Sequence, residues 1–282
     1  MQVNEFLDSL SNIGGTLSYL GETTLGEKIP LLSKGNVTRA GKVLLIGATH
    51  AREYITAYLL RDLFEQYDGD YPVDLVPMLN IDGVRLSQGG LNALTLKLRD
   101  RITLMRINGG STDFSQWKAN VRGVDLNVNN DAKWGQGQSN ITYPAPENYV
   151  GPCPFSEVET YALKRVIDNG EYALVVCYHS KGEEVYYGFG NNYKYKAEAS
   201  LVANGLGYKL KRTPKSSGGI KDYFTHSTGR LGLTVEVGSD ALSHPIGLEH
   251  LEELKKRHQG IIDLYAEIAK RLWTKYGLCA SQ

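Results

Sequence analysis

The nine-residue stretch Lys42-Val-Leu-Leu-Ile-Gly-Ala-Thr-His50 decides the fold class of this chain. Its first part, Lys42–Gly47, is a continuous apolar run that ends at a glycine, which is typical of a strand buried on both faces of a sheet. The segment Ala57–Tyr67 follows, with apolar residues at helical spacing. A buried strand followed by an amphipathic helix is the unit from which parallel sheets are built.

The same alternation continues along the chain. Apolar runs predict further strands at Leu17–Tyr19, Ile29–Leu32, Asp74–Met78, Tyr172–Tyr178 and Leu231–Val237. Helical spacing predicts helices at Val3–Leu10, Ser156–Asn169 and Glu249–Trp273, the second of them with a capping box formed by Ser156 and Glu159. Pro77 predicts that its strand ends early or lies at an edge. These patterns predict a mostly parallel sheet covered by helices on both faces.

The composition is that of an ordinary globular protein. Its 282 residues include 31 Lys and Arg against 31 Asp and Glu, and this zero net charge argues against nucleic acid or an anionic membrane surface as partner. No apolar run approaches the roughly 18 residues of a membrane span. Three scattered cysteines are too few for a disulfide framework or a thiolate zinc site. A bound transition metal would therefore need histidine and carboxylate ligands.

Metal-binding side chains follow two of the predicted strands, at the edge where parallel α/β sheets bind ligands. His50 and Glu53 are three residues apart at a strand-to-helix junction, and His179 directly follows the strand Tyr172–Tyr178. Two imidazoles and one carboxylate form a catalytic Zn²⁺ set with an open fourth position. At this point a chance His-x-x-Glu match and a hydrogen-bonded core histidine remain alternatives.

A third strand end carries a carboxylate. Glu236 interrupts the apolar strand Leu231–Val237, where an acidic residue is unfavourable unless it is paired or functional. Beside a metal it would serve as general base and then as proton donor, whereas the alternative is a glutamate at a surface edge. His250 and His258 fall in the charged C-terminal segment, and we expect them to be solvated.

With these residues in place, the chain resembles the carboxypeptidase A-like zinc carboxypeptidases, the M14 family. The matching motifs occur in the family's order over roughly residues 40 to 240, and they are His50-Ala-Arg-Glu53, Leu79-Asn-Ile-Asp-Gly83, Gly123-Val-Asp-Leu-Asn127, Pro154-Phe-Ser-Glu157, His179-Ser180 and Thr234-Val-Glu-Val-Gly238. The resemblance implies a single-domain, three-layer α/β/α fold with a central mixed, mostly parallel sheet. Residues 1–40 would be its entry segment and residues 41–282 the zinc peptidase domain.

The resemblance also implies the roles of individual residues. One Zn²⁺ ion would be held by His50, Glu53 and His179, with Glu236 as the catalytic base. Asp125 would orient His50 from behind, a role that also makes physical sense. The remaining implied positions face the substrate, and they are Arg52 and Asn127.

Four positions depart from the family pattern. The arginine that grips a terminal carboxylate is Val128 here, and a valine cannot form that bidentate pair. The carbonyl-polarising arginine is Lys118, which can still stabilise an oxyanion. Pro214 replaces a mobile tyrosine. Lys221 stands where primed-side specificity is set, and it would favour an acidic group on the substrate.

These departures resemble the bacterial branch of the family that cuts γ-D-glutamyl–diaminopimelate bonds in peptidoglycan stem peptides. We therefore expect a zinc metallopeptidase acting on stem peptides or muropeptides, without a separate wall-binding module. One alternative is a metallocarboxypeptidase that removes C-terminal residues, with Arg122 or Lys221 replacing the clamp arginine. The other is a catalytically silent peptide-binding module.

The expected compartment follows from the start of the chain, which lacks the basic and apolar regions of a secretory signal. We expect a cytoplasmic or spore-compartment protein. An extracellular location would require a leader that has been removed.

Overall fold

The computed structural model describes residues 2–36 and 40–276, and within them eight strands form one sheet. The strands are β1 (Thr16–Glu22), β2 (Lys28–Lys34), β3 (Lys42–Ile46), β4 (Val73–Val76), β5 (Tyr172–Ser180), β6 (Glu184–Tyr187), β7 (Lys209–Arg212) and β8 (Leu231–Val237). Their order across the sheet is β1-β2-β4-β3-β5-β8-β6-β7.

Helices fill most of the connections between the strands. They are α1 (Val3–Ser9), α2 (Ile55–Gln66), α3 (Ile81–Gly89), α4 (Leu98–Ile107), α5 (Val158–Asn169), α6 (Lys196–Leu206), α7 (Ile220–Thr228), α8 (Leu251–Arg257) and α9 (Ile261–Tyr276). None of the helices in residues 2–36 and 40–276 has the length and apolar character that crossing a lipid bilayer requires.

The predicted fold class is confirmed. The neighbours β4, β3, β5 and β8 are parallel, while β1, β2 and β6 add antiparallel pairs. Every residue of β5 is buried, so helices cover this strand on both faces of the sheet. On the N-terminal side, β2 pairs with β4, and the predicted entry segment thereby contributes strands to the same sheet.

The sequence patterns did not predict the shortest and most charged strands. The strands β6 and β7 have four residues each, and β7 reads Lys-Leu-Lys-Arg at the edge of the sheet, where charged side chains prevent further pairing. At Pro77, the first of the two predicted alternatives is confirmed, because β4 ends at Val76. The strand is not an edge strand, since it lies between β2 and β3.

The start of α5 differs from the prediction. The helix begins at Val158 with Glu157 as its N-cap, so the predicted capping box of Ser156 and Glu159 is wrong. The Ser156 hydroxyl donates to Glu157 Oε1 at 2.9 Å and accepts from Asn129 Nδ2 at 3.0 Å. Ser156 thus lies one residue before the N-cap, and its hydroxyl bonds to side chains and not to the first turn of the helix.

The single helix predicted at Glu249–Trp273 is wrong as well. The structure has two helices, α8 and α9, separated at Gly260, whose φ of +74° favours glycine. The break turns His258 into the core, where it has no exposed surface, against the expectation that it is solvated. His258 Nδ1 lies 2.8 Å from the Leu254 carbonyl, to which it donates.

The pKa of His258 reflects this burial. Burial lowers the pKa to about 4, the hydrogen bond to the Leu254 carbonyl opposes the shift, and the charge of Arg257 adds to it. The ring packs against Tyr178 and Tyr208, and Nε2 has no hydrogen-bond partner among the described residues. A proton on Nε2 would therefore place a charge in an apolar environment.

This burial predicts a specific dependence of stability on pH. The unfolded histidine titrates near pH 6.5 and the folded one near 4, so the unfolded chain binds the proton first as pH falls. Burial of the neutral His258 therefore favours the folded state less and less as pH falls from about 6.5 towards 4. The stability lost over this range approaches ~3 kcal/mol. His258→Gln should flatten this part of the pH dependence of the free energy of unfolding, measured by urea denaturation. The control His250→Gln should retain it, and an unchanged slope in His258→Gln would contradict the prediction.

Candidate metal centre and active-site cleft

The turn after β3 positions the first two candidate ligands. Ala48 has a φ of +43°, in a region that residues with side chains rarely adopt. Thr56 Oγ1 accepts from the Ala48 backbone N–H and donates to the Glu53 carbonyl, both at 2.8 Å. These bonds hold the turn against the start of α2. His50 and Glu53 are therefore fixed at the carboxyl end of β3, as the sequence predicted.

His50, Glu53 and His179 converge at this edge of the sheet. His50 Nδ1 lies 2.9 Å from Glu53 Oε1, and His179 Nδ1 lies 3.0 Å from Glu53 Oε2. The two Nδ1 atoms are 3.0 Å apart, and one ligand atom from each of the three buried residues lies within 4.8 Å of the others. Two imidazole nitrogens and a carboxylate that face one point fit Zn²⁺.

Asp125 supports His50 from the other side of its ring. His50 Nε2 donates to Asp125 Oδ1 at 3.2 Å, which leaves Nδ1 free to bind the metal. Asp125 also accepts from the Asn127 and Asn148 backbone N–H groups at 3.0 and 3.1 Å, and from Lys118 Nζ at 3.0 Å. The orienting role that the resemblance implied for Asp125 matches this geometry.

The electrostatics of these groups favour a bound cation. Burial alone would raise the pKa of Glu53, but His50 and His179 hold it well below its usual value. Burial likewise opposes the charge of Asp125, but Lys118 and His50 hold its pKa well below the usual range. Both carboxylates are therefore ionised inside the protein, next to imidazole nitrogens that can exchange a proton for a metal.

Glu236 lies beside the ligands. It is the register partner of His179 in the parallel pair β5–β8, so the two residues are neighbours across the strands. Burial raises the pKa of Glu236 to about 8, the charge of His179 opposes this shift, and the charge of Glu53 adds to it. A buried carboxyl group beside the metal ligands is placed to take up and return a proton, as a general base must.

A cavity of about 470 Å³ opens next to Glu236. Its lining includes Asn127, Lys215 and Lys221, together with Thr234 of β8. This volume lies in the range of small-molecule sites. The cavity therefore offers room for one amino-acid-sized group beside the candidate general base.

Two of the predicted substrate residues already have internal partners. Lys221 is buried, and its Nζ donates to the Gly188 carbonyl at 2.7 Å, to Thr213 Oγ1 at 3.1 Å and to Asp222 Oδ1. Its three N–H donors are therefore occupied. Asn127 Oδ1 accepts from the Ile220 backbone N–H at 3.2 Å and so anchors the start of α7.

Lys118, in contrast to Lys221, keeps a partly exposed positive charge in the cleft. Its side chain is 17% exposed, and Asp125 Oδ2 lies 3.0 Å from Nζ. Burial alone would lower the pKa of Lys118, but Asp125 and Glu53 outweigh it and raise the pKa, so the ammonium form persists. Asp125 thus couples this cation directly to the metal ligand His50.

The structure brings His244 within electrostatic reach of Arg52, Glu53 and Lys181, and the sequence assigned neither His244 nor Lys181 to the site. Arg52 Nη1 donates to the Gln116 carbonyl at 3.1 Å, and the Gln116 side chain donates to the His244 carbonyl. His244 and Lys181 lie close enough to interact electrostatically, and Lys181 Nζ donates to the Asp240 carbonyl at 2.7 Å. Lys181 comes two residues after His179, a signal that could have identified it.

Arg122, considered as a substitute for the missing arginine, points elsewhere. Its Nε lies 3.4 Å from Glu157 Oε2, and it does not line the cavity beside Glu236. The clamp position itself holds Val128, and the Val128 backbone packs against Gly218, where an added Cβ would lie 2.4 Å from the Val128 carbonyl oxygen. That close approach requires glycine.

The zinc carboxypeptidase family matches the chain over residues 16–245. The chain belongs to the zinc carboxypeptidase family. Its cofactor is Zn²⁺, for which His50, Glu53 and His179 form the site. The fold and the family together place this chain in the class of zinc metallopeptidases.

A curated relative has a more specific name. The chain is 28% identical over 263 residues to "Gamma-D-glutamyl-L-diamino acid endopeptidase 1" of Lysinibacillus sphaericus, covering 86% of this chain and 65% of the relative. The chain thus spans slightly less than two thirds of that protein's length.

Solved structures share the fold. Bovine thrombin-activatable fibrinolysis inhibitor, solved with tick carboxypeptidase inhibitor, has a TM-score of 0.73 at 16% identity, with 98% of each chain covered. Murein-tripeptide amidase MpaA from Escherichia coli O157 has a TM-score of 0.60 at 19% identity, with 94% of each chain covered. At these identities the likeness concerns the fold alone.

The ligand geometry predicts how zinc content responds to substitution. His50→Ala removes a ligand and should yield protein without bound zinc, measured by elemental analysis. Asp125→Asn keeps the ligands but weakens the orienting bond, and it should lower zinc affinity about 10- to 100-fold. The control His226→Ala changes an exposed histidine and should bind zinc like the unmodified chain. Full zinc content in His50→Ala would contradict the assignment.

Proposed function

We propose that this chain is a zinc-dependent peptidase that hydrolyses the γ-D-glutamyl–diaminopimelate bond of peptidoglycan stem peptides or muropeptides. The observation that carries the peptidase assignment is Glu236, which lies beside the His50–Glu53–His179 set and lines the adjoining cavity. The similar Lysinibacillus sphaericus protein, named for cleavage after γ-D-glutamate, supports the choice of bond.

The residues of the chain divide the chemistry among them. Zn²⁺, when bound, supplies a Lewis acid and lowers the pKa of water. Glu236, the register partner of His179 on the neighbouring strand, takes a proton from the attacking water and returns it to the departing amine. Lys118 carries a positive charge next to the metal ligands, where it stabilises negative charge on the carbonyl oxygen.

The charge around the cleft supports a γ-linked substrate. A glutamyl residue linked through its side chain keeps its α-carboxylate free, so negative charge lies near the scissile carbonyl. Arg52 and Lys181 lie near the metal ligands, and their acidic partners Glu147 and Asp240 are 49% and 78% exposed, at 3.5 and 3.7 Å. Ion pairs this exposed are weak, so the charge of both cations remains available to a substrate anion.

A metallocarboxypeptidase is the second candidate. The cavity beside Glu236 has room for a terminal residue, and Lys215 and Lys221 line it. Val128 weighs against this candidate, since it cannot form the bidentate pair with a terminal carboxylate. Incubation with defined muropeptides and with ordinary peptides, followed by mass spectrometry of the products, separates the two. Release of diaminopimelate-containing fragments supports the proposal, whereas stepwise loss of C-terminal residues alone contradicts it.

Substitution of Glu236 tests the catalytic role. Glu236→Gln keeps the size of the side chain but removes the proton acceptor, so kcat should fall by about 100- to 10,000-fold while zinc remains bound. The measurement is turnover of a muropeptide together with zinc content. The control Glu249→Gln, at an exposed glutamate, should keep full activity. Full turnover by Glu236→Gln would exclude this glutamate as the general base.

A further inference from the structure

A tight turn borders the cavity beside Glu236. The Ser216 backbone N–H donates to the Thr213 carbonyl at 3.2 Å, which closes a four-residue turn with Pro214 and Lys215 at its centre. Proline is favoured at the second position of such turns because its φ is preset. All four residues line the cavity, and Lys215 occupies the third position of the turn.

A buried ion pair holds both ends of this turn. Lys221 Nζ donates to Thr213 Oγ1 at 3.1 Å, and the Ser216 hydroxyl donates to Asp222 Oδ2. Lys221 and Asp222 pair with each other on α7 and are buried. The turn is therefore fixed on either side of Lys215, and this cation is presented at a defined place on the cavity wall.

Lys215 is the lysine on this wall that is free to bind a ligand. It is exposed, and within residues 2–36 and 40–276 it makes no hydrogen bond or ion pair. The other lining lysine, Lys221, has its three donors occupied and its charge balanced by Asp222. The nearby position 128 is an uncharged valine. A negatively charged group that enters this cavity would therefore meet Lys215.

We propose that Lys215 is the specificity-determining residue for the departing part of the substrate, and that its ammonium group binds a carboxylate of that residue. The inference rests on the proposed peptidase function, because it assigns the cavity beside Glu236 to the departing amino acid. The sequence had assigned the recognition of an acidic substrate group to Lys221. In the structure, Lys221 instead acts on the turn, as a positioning residue for Lys215.

The experiment compares substrates with and without the carboxylate. Lys215→Met removes the charge but keeps a flexible apolar side chain, and Lys97→Met is the control at an exposed lysine outside the cavity. Each zinc-loaded protein is assayed on a γ-D-glutamyl–diaminopimelate peptide whose diaminopimelate carboxyl groups are free, and on its carboxamide. The same acid and amide pair is made for an α-linked peptide with a C-terminal carboxylate.

A charge-assisted hydrogen bond predicts a selective loss. Lys215→Met should raise KM for the acid substrate by about 10- to 100-fold, with little change in kcat, and leave the carboxamide unaffected. Lys215→Arg should restore much of the loss, and Lys97→Met should show none. Equal effects on acid and amide, or no effect on either, would overturn the assignment of Lys215.

The substrate pairs also separate this inference from the proposed function. If the unmodified chain cuts only the α-linked peptide, the γ-glutamyl proposal fails, yet a selective effect of Lys215→Met on that acid still supports carboxylate binding. If the γ-linked peptide is cut and Lys215→Met loses nothing, the proposed function stands and the inference about Lys215 is wrong. A chain that cuts neither peptide overturns both.

Discussion

The ionised carboxylate of Asp125, with no exposed surface, is the group on which the rest of the site depends. A charge buried this completely is stable only when hydrogen bonds and opposite charges surround it, and here an imidazole, an ammonium group and two backbone N–H groups do so. Because these partners come from different segments of the chain, one carboxylate joins the loop around Lys118 to the end of β3. The metal ligand His50 and the cleft cation Lys118 are positioned together.

The overall neutrality of the chain conceals a local separation of charge. Carboxylates lie at and behind the metal ligands, where Glu53 and Asp125 are ionised and buried. Cations surround them at the cleft, with Arg52 and Lys181 near the metal ligands and Lys215 on the cavity wall. The first arrangement suits a dication, and the second suits a peptide that carries several carboxylates. A net charge of zero argues against polyanionic partners, yet it leaves room for local cations that bind an anionic ligand in the cleft.

Much of the centre of the site was predictable because it follows from strands. A continuous apolar run identifies a buried parallel strand, and the residue after it lies at the edge where ligands bind, which is how His50 and His179 were found together. Lys221 shows where such reasoning stops. Its position beside the cavity was predicted, but the sequence could not reveal that Gly188, Thr213 and Asp222 occupy its donors. Likewise, the burial of His258 depends on the interruption of the helix at Gly260 and on packing against β5.

The sequence by itself determined the α/β class, the buried parallel strands, and the residue types that meet at their carboxyl ends. Hydrophobic periodicity is a local property, and parallel strands all end at the same edge of the sheet. Only the tertiary structure decided which of the polar side chains around them are free to act. Pairing depends on the distance between atoms from remote segments, as for Lys118 with Asp125 and for Lys221 with Thr213. For the same reason, the residue that we propose for carboxylate binding is the exposed Lys215, in the turn that the buried Lys221 of α7 supports.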